Sequence, residues 1–115
     1  MGTTIEDRRL DSLFTALSDP TRRDIVARLS AGEATVKELA APYAMSMQAV
    51  SQHIRVLERS GLISQGRHRQ TRPCRLEPAA LEAALSWIEE SRRAWSDRMD
   101  RLETHLARLQ EREDQ

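Results

Sequence analysis

Nine residues in the last third of the chain repeat with a period that suits only a helix lying against another apolar surface. Leu81, Leu85, Ile88, Arg92, Trp95, Met99, Leu102, Leu106 and Leu109 are spaced 4, 3, 4, 3, 4, 3, 4 and 3 residues apart. This is a heptad seam with one polar break, at Arg92. No Gly or Pro follows Pro78. The spacing therefore predicts one helix that opens at Glu77-Pro78 and runs over 78–110. A helix of about 32 residues is roughly 48 Å long. The chain has 115 residues, which suits a single compact domain over 1–115 with a modest core. Such a domain cannot cover so long a seam alone, so the seam points to a second chain.

Upstream, local chemistry punctuates four shorter helices. Leu10, Leu13, Phe14 and Leu17 form an amphipathic stripe on a helix over 5–17. Ser18-Asp19-Pro20 ends it; Asp19 is suited to cap a second helix over 21–29, with Pro20 in its first turn. Thr35 and Glu38 have the spacing of a capping box, opening a short third helix that Pro42 ends. Ala44-Met45 is the turn into a fourth helix from Ser46, its candidate cap, to Arg59, with Gly61 placed as the left-handed terminator. Two extended stretches, 62–66 and 71–76, follow and read as a β-hairpin. Pro73 cannot donate a ladder bond, so its strand should be an edge. The expected fold is mainly α with a small hairpin, in the order α-α-α-α-β-β-α.

Charge is unevenly spread. The chain balances 18 basic against 18 acidic residues, yet residues 20–77 hold ten basic and five acidic side chains. That basic block between acidic ends points to a polyanionic partner. The third and fourth helices, over 35–59, have the spacing of a helix-turn-helix. On the fourth, Val50, Ile54 and Leu57 share the inward face. Met47, Gln48, Ser51, Gln52 and Arg55 share the outward face, and none of them is acidic. Gln48 and Gln52 can bond adenine edges, Ser51 several bases, and Arg55 a guanine or a phosphate. Free amides at the helix start, next to Ser46, suit a phosphate. In the hairpin over 62–76, Arg67, Arg69, Arg72 and Arg75 would meet phosphates or a minor groove, with His68 a weaker contact.

These residues carry a resemblance. The run LFTALSDPTRRDIVARL, then VKELA, then MSMQAVSQHIRVLERSGLI and a basic hairpin, resembles the ArsR-type winged helix-turn-helix repressors. The core is Ser51, His53, Ile54, Leu57, Gly61 and Leu62, together with Asp19 to Arg23. The resemblance implies a homodimer whose first and last helices pack across a two-fold axis. Leu10, Leu13, Phe14 and Leu17 would then meet Ile88, Trp95, Met99, Leu102 and Leu106 at the interface. It also implies double-stranded DNA as the partner, with two recognition helices on a partly palindromic operator and transcription blocked.

Many such repressors sense metals, and the residues here do not match their sites. The stretch Thr35–Leu39 has no Cys-x-Cys, and the last helix has His105 but no Asp-x-His. His53, His68, Cys74 and His105 are too scattered to supply about four zinc ligands in one chain. The expectation is a metal-independent member with no cofactor and an unknown small-molecule effector. Cys74 is the only cysteine, which excludes an intrachain disulfide. Its expected place is as a small strand residue, and that of His53 as a satisfied core residue. No nucleophile–base pair, phosphate loop or paired acids suggest an enzyme. No apolar run approaches the roughly 20 residues of a membrane span and no signal peptide opens the chain, so a cytoplasmic protein is expected. Two rivals stand beside this reading: a metal- or ligand-responsive sensor on the same fold, and a protein-interaction module using the long last helix.

Overall fold

The computed structural model describes residues 4–66 and 71–114. In order these form α1 (Ile5–Leu17), α2 (Pro20–Leu29), α3 (Val36–Ala40), α4 (Met47–Ser60), β1 (Ile63–Gln65), β2 (Cys74–Leu76) and α5 (Pro78–Glu113). The expected element order is the observed one. The chain divides into two compact units, Met1–Ala84 and Leu85–Gln115, with the division inside α5.

Helix boundaries follow capping chemistry. The Asp19 carboxylate accepts from the Arg22 amide at 3.0 Å, with Pro20 at the start of α2. Thr35 and Glu38 close a reciprocal capping box on α3. Ser46 Oγ accepts from the Ala49 amide at 3.1 Å and so opens α4. A second capping box, Thr4 with Asp7, opens α1. Gly61 ends α4 in the left-handed region, with φ 84°. A Cβ at Gly61 would meet nothing within 4 Å, so only backbone strain opposes a side chain there. Gly61→Ala is expected to lower stability by about 1–2 kcal/mol, read from urea unfolding. Gly61→Asn should lose less, because Asn tolerates this conformation. Equal stability of Gly61→Ala and wild type would contradict the strain argument.

The hairpin is antiparallel and pairs Ile63 with Leu76, Ser64 with Arg75 and Gln65 with Cys74. Each strand has three residues, fewer than the spans 62–66 and 71–76 suggest. Pro73 explains the stop, because it has no N–H to extend the ladder; its carbonyl still accepts from the Gly66 amide at 2.9 Å. On the other side of β2, Cys74 exchanges two backbone bonds with Ala34, at 2.7 and 3.1 Å. The expected edge at this strand is thus covered for one residue by the segment leading into α3.

One core holds the first unit together. Leu13, Ile25, Leu39, Val50, Ile54, Leu57, Leu62 and Cys74 have relative exposures below 2%. Ala80 and Ala84, from the first two turns of α5, join them. The inward stripe of α4 lies where its spacing placed it. Leu13 is a correction. It was expected at a dimer interface, yet it is 0% exposed and has no surface left for a partner. Its neighbours Leu10, Phe14 and Leu17 are half-buried and pack against the core from its margin. A stripe of four apolar residues has a centre and two flanks, and Leu13 lies at the centre.

In the second unit, no described residue from 85 to 114 is buried. Leu85, Ile88, Trp95, Leu102, Leu106 and Leu109 are between 42% and 63% exposed, while Met99 is half-buried. Arg92, the polar break, donates to Glu89 at 3.0 Å within the same helix. Among the described residues, no helix is long and apolar enough to cross a membrane.

Candidate nucleic-acid interface

The candidate interface is built on α4 because that helix is rigidly seated. Val50, Ile54 and Leu57 anchor one face in the core, which turns the opposite face outward. Ser46, Met47, Gln48, Gln52 and Arg55 are exposed and Ser51 is half-buried. Together with Ala49 they line one shallow depression on the surface. Arg55 donates to the side-chain carbonyl of Gln52 at 3.3 Å. That contact orients the Gln52 amide, leaving its NH2 group to donate outward. The first amides of a helix have no intrahelical acceptors, so the Met47 and Gln48 amides open toward this surface. None of the residues lining this depression is acidic.

A second groove joins the helix to the hairpin. Val36, Ser51, Ile54, Arg55, Glu58, Gln65 and Arg72 line it. Arg72 is exposed, so two guanidinium groups flank the groove where the recognition helix meets the wing. Glu58 lines the same groove and accepts from the Gln65 side-chain amide at 2.6 Å, which ties its carboxylate to the hairpin. Arg75 points elsewhere and pairs with Glu77 at 3.5 Å. The Ser64 hydroxyl also donates to Glu77 and, as the largest cause, holds its carboxyl below the usual range. The expected contacts Arg67, His68 and Arg69 lie outside the described residues.

Several residues hold this interface in place in roles not assigned to them from the sequence. Arg22 bonds the Ala16 and Thr15 carbonyls at 2.7 and 3.2 Å, and Arg23 bonds the Leu17 carbonyl at 2.8 Å. They satisfy the last turn of α1, which ends in Ser18 rather than in a left-handed glycine. A readable signal exists: two arginines shortly after a helix end that lacks glycine can supply its missing donors. Arg28 does the same for α3, donating to the Leu39 and Glu38 carbonyls at 2.8 and 3.1 Å. Its guanidinium also lies over the Tyr43 ring, 5.4 Å from the centroid, and the Tyr43 hydroxyl donates to Asp24. α2 is thereby fastened to α3 and to the turn that leads into α4.

The remaining singletons have local explanations. Cys74 is buried, and burial pushes its thiol up to about 11, so at neutral pH it is the unreactive thiol. His53 is half-buried and engaged with Arg22 rather than packed as an inert core residue. Among the described residues, no three His, Cys, Asp or Glu side chains gather where they could hold a metal ion.

A helix pair with an outward polar second helix, followed by a two-stranded hairpin, defines a winged helix-turn-helix protein. Known proteins agree. A model described as a helix-turn-helix domain matches residues 17–65. The transcriptional repressor SdpR of Bacillus subtilis is 30% identical over 79 residues, covering 69% of this chain and 88% of that protein. The HTH-type transcriptional regulator Rv2034 of Mycobacterium tuberculosis is 41% identical over 76 residues, 66% of this chain and 71% of that one. The crystal structure of the ArsR family transcriptional regulator RHA00566 superposes with a TM-score of 0.72 at 39% identity, covering 77% of this chain and 92% of that one. The chain belongs to the ArsR family of DNA-binding transcriptional regulators.

Proposed function

We propose that this regulator is a non-catalytic, homodimeric repressor of the cytoplasm that binds a two-fold symmetric operator without a metal. The observation that carries this reading is the outward face of α4: Met47, Gln48, Ser51, Gln52 and Arg55 include no acid, and the opposite face is locked in the core. Gln48, Ser51 and Gln52 read base edges; Arg55 reads a guanine or holds a phosphate. Ser46 and Met47 bring the helix start to the backbone, and Arg72, with Arg67, His68 and Arg69 of the wing, positions the protein on phosphates. The half-buried Leu10, Phe14 and Leu17 of α1, and Ile88, Trp95, Met99, Leu102 and Leu106 of α5, form the dimer. The exposed heptad face of α5 supports this, since a second copy would cover it. Repression follows the likeness to the Bacillus subtilis repressor. Metal independence rests on donor chemistry, because α3 lacks a Cys-x-Cys and α5 an Asp-x-His.

Selection of bound duplexes from a random pool, at stated salt, tests the reading. The expected product is a two-fold symmetric site with half-sites about 34–36 Å apart, one helical turn. An asymmetric site, or no enriched sequence, would contradict it. On the selected site, Gln52→Ala should weaken binding by about 1–3 kcal/mol and relax preference at one position. Arg72→Ala should weaken all duplexes alike and reduce the salt slope by about one. A changed base preference for Arg72→Ala, with unaltered salt slope, would remove its phosphate role.

A further inference from the structure

A charged cluster behind the recognition helix is not explained by capping alone. Arg22 reaches in three directions at once. Its Nε and Nη2 hold the Ala16 and Thr15 carbonyls of α1, at 2.7 and 3.2 Å. Its Nη1 lies 3.2 Å from Nδ1 of His53, on α4. Its own amide is held by the Asp19 carboxylate at 3.0 Å. That carboxylate stands 3.9 Å from the same His53 nitrogen. One guanidinium, carried by the first turn of α2, therefore joins the end of α1 to the flank of the helix that presents Gln48, Ser51 and Gln52.

A guanidinium has donors only and does not lose its proton in proteins. The facing Nδ1 must then be an unprotonated acceptor, with the ring proton on Nε2. Protonation of Nδ1 would turn an acceptor into a donor and place a second cation 3.2 Å from the first. The nearest counter-charge is Asp19, already engaged as the cap of α2. Arg22 and Asp19 face this ring at 3.2 and 3.9 Å, one cation and one anion. A protonated His53 is repelled by Arg22 and attracted by Asp19, so the contact by which Arg22 holds the flank of α4 is lost.

We propose that Arg22 is a positioning residue for operator reading, and that it works only through a neutral His53, so the discrimination made by α4 falls as His53 becomes protonated. This rests on the DNA-reading role of α4. Cysteine, metal and wing chemistry have no part in it, and the reading face itself is untouched. The readout is the ratio of affinities for the selected operator and for a scrambled duplex of equal length. Non-specific phosphate binding cancels in that ratio.

The ratio is measured at fixed salt near pH 8 and near pH 5.5. In the wild type it should fall about tenfold at the lower pH, the worth of one charged hydrogen bond. His53→Asn places a carbonyl oxygen near the Nδ1 position and does not titrate; its ratio should stay flat with pH. His53→Leu removes the acceptor and should show the low ratio at both pH values. The same pH profile for wild type and His53→Asn, or a full ratio for His53→Leu near pH 8, would overturn the proposal. Imidazole nitrogen NMR shifts of the wild type test the contact without DNA. They should report a bare Nδ1 near pH 8 and α4 amide shifts that follow His53 protonation. An Nδ1–H tautomer near pH 8 would overturn it even if no operator were found, whereas failure to select an operator speaks against the DNA-reading role alone.

Discussion

Replacing Leu102 and Leu106 together with aspartate is expected to separate the dimer and to lower operator affinity by about 10²–10⁴-fold, the gain that joining two binding modules supplies. Both side chains lie on the heptad face of α5 and are 47% and 54% exposed. They contribute nothing to the core of the first unit. Two charges at each such position, facing their own copies across a two-fold axis, desolvate and repel. Helical content and the thermal transition of the first unit should stay close to wild type, while mass in solution halves. Sedimentation and fluorescence anisotropy on the selected duplex check the two halves of this expectation. A variant that remains a dimer with wild-type affinity would place the interface elsewhere.

Ile54→Ala is expected to destabilise the protein by about 2–5 kcal/mol, the range for truncating a buried aliphatic side chain. Ile54 is 1% exposed on the inner face of α4, within the cluster that also holds Val50, Leu57 and Leu13. For a small domain with about 5–15 kcal/mol in total, this is a large fraction. Gln52, on the outer face of the same helix, should change stability by less than about 0.5 kcal/mol when replaced by Ala. Urea unfolding of the two variants separates the roles of the two faces. Equal losses of stability would mean that the outer face is structural rather than a reading surface.

Much of this architecture was legible because capping is local chemistry. Asp19, Thr35 with Glu38, Ser46 and Gly61 each mark a boundary through groups within three residues, and the structure uses each of them so. The two faces of α4 were legible because helical period separates Val50, Ile54 and Leu57 from Gln48, Ser51 and Gln52. Depth was less legible. The stripe of α1 shows which residues are apolar but not which of them the protomer itself consumes, so Leu13 read as interface and proved to be core. Strand ends were also blurred, because an extended run looks alike on both sides of Pro73. Contacts between residues remote in sequence carried no local signal. The Arg22–His53 pair is separated by 31 positions, and the Ala34–Cys74 bridge depends on the turn of the whole chain. The polar outward face of α4 is the surface proposed for DNA, whereas the contacts that hold α4 in place belong to tertiary structure.

In the proposed dimer, the heptad face of α5 and the outward face of α4 meet in one requirement: two copies of α4 engage one site. The direct measurement is titration of the selected full duplex and of a single half-site duplex, with complex mass determined in parallel. The account predicts two protomers on the full duplex and an affinity about 10²–10⁴-fold above that for the half-site. One protomer per duplex, with equal affinity for the full site and the half-site, would contradict it.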